Sequence, residues 1–185
     1  MTHPLLEIAA KGDSAAMATA LAEKPAQQDL DLALSTAAQA GHTAVVQLLL
    51  QSGATHSGKR AASALCLAAQ NGHGQTVAAL LAGGLKPGLR ESFTEWTPLH
   101  FAAEHGQVEV IARLLEAGAA VVARSPDGET PLMRAALNGQ LEAVRALMDA
   151  GANPHKQGRD GSDALENARS RGHTDITTLL DPNGG

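Results

Sequence analysis

Five glycines, Gly41, Gly72, Gly106, Gly139 and Gly172, form a ladder along the chain, with the widest gap between Gly72 and Gly106. The rungs recur about every 33 residues, a period that marks a chain built by stacking one small unit on the next, because no single unit buries its own apolar face. The surrounding pattern repeats as well. In the clearest copy, Thr97-Pro98-Leu99-His100-Phe101-Ala102-Ala103-Glu104-His105-Gly106 is followed by Val110, Ile111, Leu114, Leu115, Gly118 and Ala119. The next copy keeps Thr130-Pro131-Leu132, Ala135-Ala136, Gly139, Val144, Leu147, Gly151 and Ala152. Looser copies run from Leu34 to Gly53 and from Leu65 to Gly84, with divergent versions at Pro4–Gly12 and Leu165–Leu180.

Each element of the pattern has a mechanical role. Thr followed by Pro starts a helix: the hydroxyl caps free amides, and Pro fits the first helical position, where its missing N–H is not needed. The Leu and the paired Ala lie on one narrow face that lets a neighbouring helix approach closely. The ladder glycine ends this short helix in the left-handed region. A second helix then carries Val and Leu inward until another Gly stops it. Each unit reads as helix, tight turn, helix and exposed loop, and the chain as an all-α solenoid.

A period near 33 with a TPLH-type helix start resembles the ankyrin repeat family. The likeness covers residues 3–181 as six units (3–28, 29–57, 58–91, 92–124, 125–157 and 158–181) in a single domain spanning 1–181, and is most specific in units four and five. Leu32-Ala33, Ser63-Ala64 and Asp163-Ala164 replace the Thr-Pro step in units two, three and six, which predicts weaker helix starts there. Glu166, Asn167, Arg169, Ser170 and Arg171 make the first helix of unit six polar, as expected of a unit that closes the array. Residues 182–185 read as a disordered tail.

Composition fits thin stacked helices: Ala fills 37 positions, Tyr is absent, and a single Cys excludes an internal disulfide or a multi-Cys zinc site. No signal-peptide stretch or membrane-length apolar run is evident, so a soluble, cytoplasmic and monomeric protein is expected, with no cofactor or metal. Gly53-Ala54-Thr55-His56-Ser57-Gly58-Lys59-Arg60 imitates a phosphate-binding loop through its Lys. Arg60 stands where that loop needs Ser or Thr for magnesium, and a helix precedes it instead of a strand. The resemblance explains the histidines: His42, His73 and His173 each follow a ladder glycine, a slot where ankyrin-like repeats carry His for packing and turn hydrogen bonds. They belong to successive layers, and no HExxH spacing occurs. Cys66 takes the place held by His100 and Met133 in later units and is expected to pack as a small residue.

Against 14 Lys and Arg stand 19 Asp and Glu, which disfavours nucleic acid. The excess lies in residues 91–149, where nine acids face four Arg. By resemblance, recognition positions fall just before the Thr-Pro step, after the Leu-His pair and before the ladder glycine. In unit four these are Phe93, Thr94, Trp96, Phe101, Glu104 and His105. Unit five supplies Pro126, Asp127, Glu129, Arg134, Leu137 and Asn138, and unit three Lys59, Arg60, Ala62, Leu67, Gln70 and Asn71. Phe93, Trp96 and Phe101 are the only aromatic residues of the chain, and the longest inter-unit loop, Gly84 to Thr97, carries the first two. They are expected to form an anchor patch within a mildly acidic groove, for a protein partner exposing hydrophobic and basic residues. Rival expectations are a ligand or catalytic pocket using Glu104, His105 and Arg134, and a structural homo-oligomer.

Overall fold

The computed structural model describes residues 4–54 and 59–182. Within them the chain forms helical pairs and no strand. The first helices are α1 (Pro4–Lys11), α3 (Gln27–Ala40), α5 (Lys59–Gln70), α7 (Pro98–Glu104), α9 (Pro131–Leu137) and α11 (Ala164–Arg171). The second helices are α2 (Ser14–Leu21), α4 (Thr43–Gln51), α6 (Gly74–Ala82), α8 (Val108–Glu116), α10 (Leu141–Asp149) and α12 (Thr174–Leu180). First helices touch the first helices of neighbouring pairs, second helices touch second helices, and each pair packs internally. The result is a two-layered solenoid with a thin continuous core. Ala37, Ala38, Ala68, Ala69, Ala102, Ala103, Ala135 and Ala136 are all fully buried in it, where larger side chains would push the first helices apart.

The ladder glycines join one repeat to the next. The residue after each glycine sends its side chain back to the preceding repeat, to the carbonyl two residues before that repeat's own glycine. His42 Nε2 reaches the Ala10 carbonyl at 3.0 Å, and His73 Nε2 that of Gln39 at 3.0 Å. The Gln107 amide donates to Gln70 at 3.1 Å and that of Gln140 to Glu104 at 3.2 Å. His173 Nε2 lies 3.2 Å from the Leu137 carbonyl. Each ring or amide lies directly over the earlier glycine, so that a Cβ on Gly12, Gly41, Gly72, Gly106 or Gly139 would overlap it. Glycine is required twice over here, for its positive φ and for this close approach.

Helix starts differ from the sequence expectation. At α7 and α9 the residue before Pro is held extended, Thr97 at φ −85°, ψ 162° and Thr130 at φ −109°, ψ 161°, because the Pro ring disfavours a helical predecessor. Without that block α3 and α5 do not begin at Leu32 or Ser63. They extend upstream to Gln27 and Lys59, reaching 14 and 12 residues against seven for α7 and α9. The start of α11, by contrast, is capped by side chains. Asp163 Oδ1 accepts the Glu166 N–H at 3.0 Å, and Glu166 Oε2 accepts the Asp163 N–H at 3.1 Å, a reciprocal cap. Residues 55–58 of the phosphate-loop-like stretch and residues 183–185 of the expected tail lie outside the described residues.

His100 ties its own helix start to the next repeat. Its Nδ1 accepts the Thr97 N–H at 3.2 Å, so the proton sits on Nε2, which donates to the Glu129 carbonyl at 3.1 Å. The ring is fully buried. Burial pushes its pKa down to about 4 against the pull of the Glu129 carbonyl, and Arg90 and Arg134 lower it further. In α9 the same place is taken by Met133, whose sulfur lies 3.3 Å from the Thr130 amide.

Two outcomes follow from these contacts. Gly118→Ala meets only a positive φ of 87° with open space around it and should cost about 1 kcal/mol. Gly106→Ala also displaces Gln140 and should cost ~1–2 kcal/mol more in chemical denaturation. For His100, the unfolded chain takes up a proton near pH 6.5 that the folded chain refuses until about pH 4. Its contribution is therefore full above pH 6.5 and lost as pH falls to 4, by ~3 kcal/mol in total. Denaturation curves of His100→Met should lack that part of the acid sensitivity.

Candidate functional site

Among the described residues three loop tips are closed by backbone hydrogen bonds, which show why one is longer. The Ser125 N–H donates to the Glu129 carbonyl at 2.9 Å and the Gly158 N–H to that of Ser162 at 2.8 Å, each closing over four residue steps. The Glu91 N–H instead donates to the Trp96 carbonyl at 2.8 Å, closing over five. One inserted residue accounts for the widest ladder gap, Gly72 to Gly106. The shorter tips turn on Gly128 and Gly161, at φ 79° and 84°; the longer one turns on Glu95, at φ 53°, a strained choice for a residue with a Cβ.

The long tip is held rigidly despite this. Glu91 Oε2 accepts the N–H groups of Phe93 and Thr94, both at 2.9 Å, and the Thr94 hydroxyl at 3.1 Å. Partial burial works to raise the Glu91 pKa, but hydrogen bonds from Thr94, Phe93 and Ser92 outweigh it and hold the carboxyl below its usual value. Arg90 Nη1 donates to the carbonyls of Glu95 at 2.7 Å and Arg124 at 3.0 Å, and Arg124 Nη2 donates to that of Gln157 at 2.7 Å. A ladder of arginines thus links finger to finger. At the end of this mount Phe93 is 95% exposed.

The three aromatic residues do not share one role. Phe93 and Phe101 line a cavity of about 360 Å³ with Thr94, Glu91 and the face of α5 that carries Ser63, Cys66, Leu67 and Gln70. Trp96 does not line it. That indole is half-buried behind Phe101, with ring centres 5.3 Å apart, and stacks on His100 at 6.1 Å. The Arg134 guanidinium carbon lies 4.3 Å from its ring centre, a cation–π contact. Trp96 braces its neighbours while staying partly exposed, and Phe93 and Phe101 are the aromatic residues that line the cavity.

Arg134 is the hub of the polar part. It pairs with Glu104 and, at 3.3 Å, with Glu129, two carboxylates for one guanidinium, so the cluster keeps a net negative charge. His105 Nδ1 donates to the Phe101 carbonyl at 3.0 Å, and its Nε2 lies 3.4 Å from the Gln70 amide nitrogen. Asn138 Nδ2 donates to the Arg134 carbonyl at 2.9 Å, as Asn71 Nδ2 does to that of Leu67. Leu137 is half-buried beside it. Glu104, His105 and Arg134 thus stand close together, and their ion pairs and hydrogen bonds hold the groove, although the buried Arg134 Nε has no hydrogen-bond partner. Among the other expected positions, Ala62 is buried and unavailable, while the side chains of Lys59 and Arg60 lie outside those described. Burial pushes the Cys66 thiol pKa up, with Glu91 adding to the shift, which keeps it protonated and unreactive.

A family model for three consecutive ankyrin repeats matches residues 65–158 and again 121–184, and a single-repeat model matches 29–57. The chain belongs to the ankyrin repeat family. Ankyrin repeats are in general protein–protein interaction modules, and no described helix of this one is long and apolar enough to cross a membrane.

Sequence reasoning did not pick out Ser63 and Cys66 as walls of the cavity, or Arg90 and Arg124 as the finger ladder. The arginines carried a signal: their separation along the chain equals that of Gly72 and Gly106. The division between brace and anchor can be measured. Trp96→Ala, which removes three ring contacts, should destabilise the ankyrin domain by ~2 kcal/mol. Phe93→Ala should stay within about 0.5 kcal/mol of the parent in the same denaturation assay.

Proposed function

We propose that this ankyrin chain, as one domain over residues 1–181, binds a protein partner across its concave face and performs no chemistry itself. The observation that carries the reading is Phe93, 95% exposed on a rigid finger beside a cavity it lines with Phe101. An apolar side chain at full exposure gains nothing for folding, whereas a preorganised aromatic beside a cavity is suited to anchor a partner. The partner places an apolar side chain in that cavity. Its Lys or Arg is drawn by Glu91 and by the surplus charge of the Glu104, Glu129 and Arg134 cluster. His105, Leu137 and Asn138 complete the contact surface along α7 and α9. Burial in the cavity supplies affinity, while the acids set encounter rate and partner choice. A monomer in the cytoplasm would act by occupancy, masking or inhibiting what it holds.

Capture from the native cell with parent and variant baits tests this. Phe93→Ala should weaken retention of specific partners by ~30-fold, the equivalent of about 2 kcal/mol, and Phe93→Ala with Phe101→Ala should abolish it. Undiminished capture by the folded double variant would sink the proposal.

A further inference from the structure

A second cavity, of about 350 Å³, opens between the loops that follow α8 and α10 and shares no lining residue with the Phe93 cavity. Its walls are Val121, Val122 and Ala152, and Val122 remains 57% exposed at the rim. The polar groups around these walls that still have hydrogen bonds to offer are chiefly donors. Lys156 is exposed and makes no ion pair among the described residues. Arg124 donates to Gln157 with one of its five N–H groups. Asn153 already accepts the His155 N–H at 2.9 Å through Oδ1, which leaves its amide hydrogens to donate. The Thr130 hydroxyl is engaged as acceptor for the Met133 N–H at 3.3 Å. No carboxylate lines the cavity.

We infer that the loops after α8 and α10 form a second binding site, for a protein segment that sets a carboxylate beside an aliphatic side chain. The aliphatic group lies on Val121, Val122 and Ala152, and the carboxylate meets Lys156 and the free donors of Arg124 and Asn153. An open cavity of this size holds one side chain and its charged neighbour. Its donor-rich rim selects the charge opposite to the one favoured beside Phe93, so the two sites take different segments. A chain with both can hold two partners, or two stretches of one partner, at once. Because Arg124 also carries the finger ladder, filling this cavity would stiffen the mount of Phe93.

The test is an NMR titration of the full chain with an acetylated, amidated Gly-Ser-Leu-Glu-Ser-Gly peptide, read at the methyl groups of Val121 and Val122. Saturable shifts are expected. They should weaken at least tenfold when the peptide's Leu is replaced by Ser or its Glu by Lys, disappear in Lys156→Glu, diminish in Val122→Ser, and persist in Phe93→Ala. Equal shifts with sodium acetate would show a simple anion site and overturn the inference. So would absence of saturation, survival of the shifts in a folded Lys156→Glu, or their loss in Phe93→Ala. Concentration-dependent shifts without peptide would assign the cavity to another copy of the chain instead. The Phe93 reading is decided separately, by its own capture experiment.

Discussion

Everything in this solenoid depends on the clasp at the ladder glycine. A repeat of about 33 residues has too little core to stand alone, so stability resides in the surfaces between units. At each such surface a His or Gln donates across the gap to a carbonyl freed by the end of the preceding first helix. That hydrogen bond satisfies a helix terminus that would otherwise need water. It also sets the rotation of one repeat on the next, because the donor must pass over a residue with no side chain. His and Gln interchange in the slot since both present an N–H at similar reach. The buried alanine pairs need the same spacing, so the clasp and the close-packed first helices support one another.

On that frame the fingers form a second line of connections. Arg90, Arg124 and the Arg159 amide, which donates to the Asp127 carbonyl at 2.8 Å, link successive loop tips through backbone carbonyls. His100 carries the connection inward, joining its own helix start to Glu129 of the next finger. Trp96, in contact with both His100 and Arg134, joins the finger line to the ion-pair cluster of the groove. The long finger is thus tied at its base, along its backbone and through its indole. Its single inserted residue raises Phe93 clear of the surface. Local strain at Glu95 is tolerated because Glu91 accepts three hydrogen bonds from the same turn.

Much of this was legible in the residues, and the exceptions have physical causes. The Thr-Pro steps placed α7 and α9 because proline acts locally. In α3 and α5, where Pro is missing, the helix begins upstream of the repeat position: absence of a stop signal lets a helix grow, which a motif-by-motif reading registers only as a poorer match. Asp163 and Glu166 form a full cap that differs in letters from Thr-Pro but does the same work. The clustering of Phe93, Trp96 and Phe101 was visible too, yet aromatics crowded into one short stretch can point different ways across a turn. Which of them is a brace depends on Arg134, a side chain of the next repeat.

By itself the sequence determined the period, the class and the layout of each unit, because glycine spacing, small-residue pairs and helix stops act within or between adjacent units. It also located the irregular interval, since an insertion shows as a change in count. Only the tertiary structure decided which polar groups are engaged and which are open. Glu104 and Glu129 share one guanidinium, while Lys156 has none of their company, although all are charged residues at surface positions in the sequence. Pairing across repeats is a matter of distances between side chains a full repeat apart, set by the rotation at each clasp, and no local pattern encodes it.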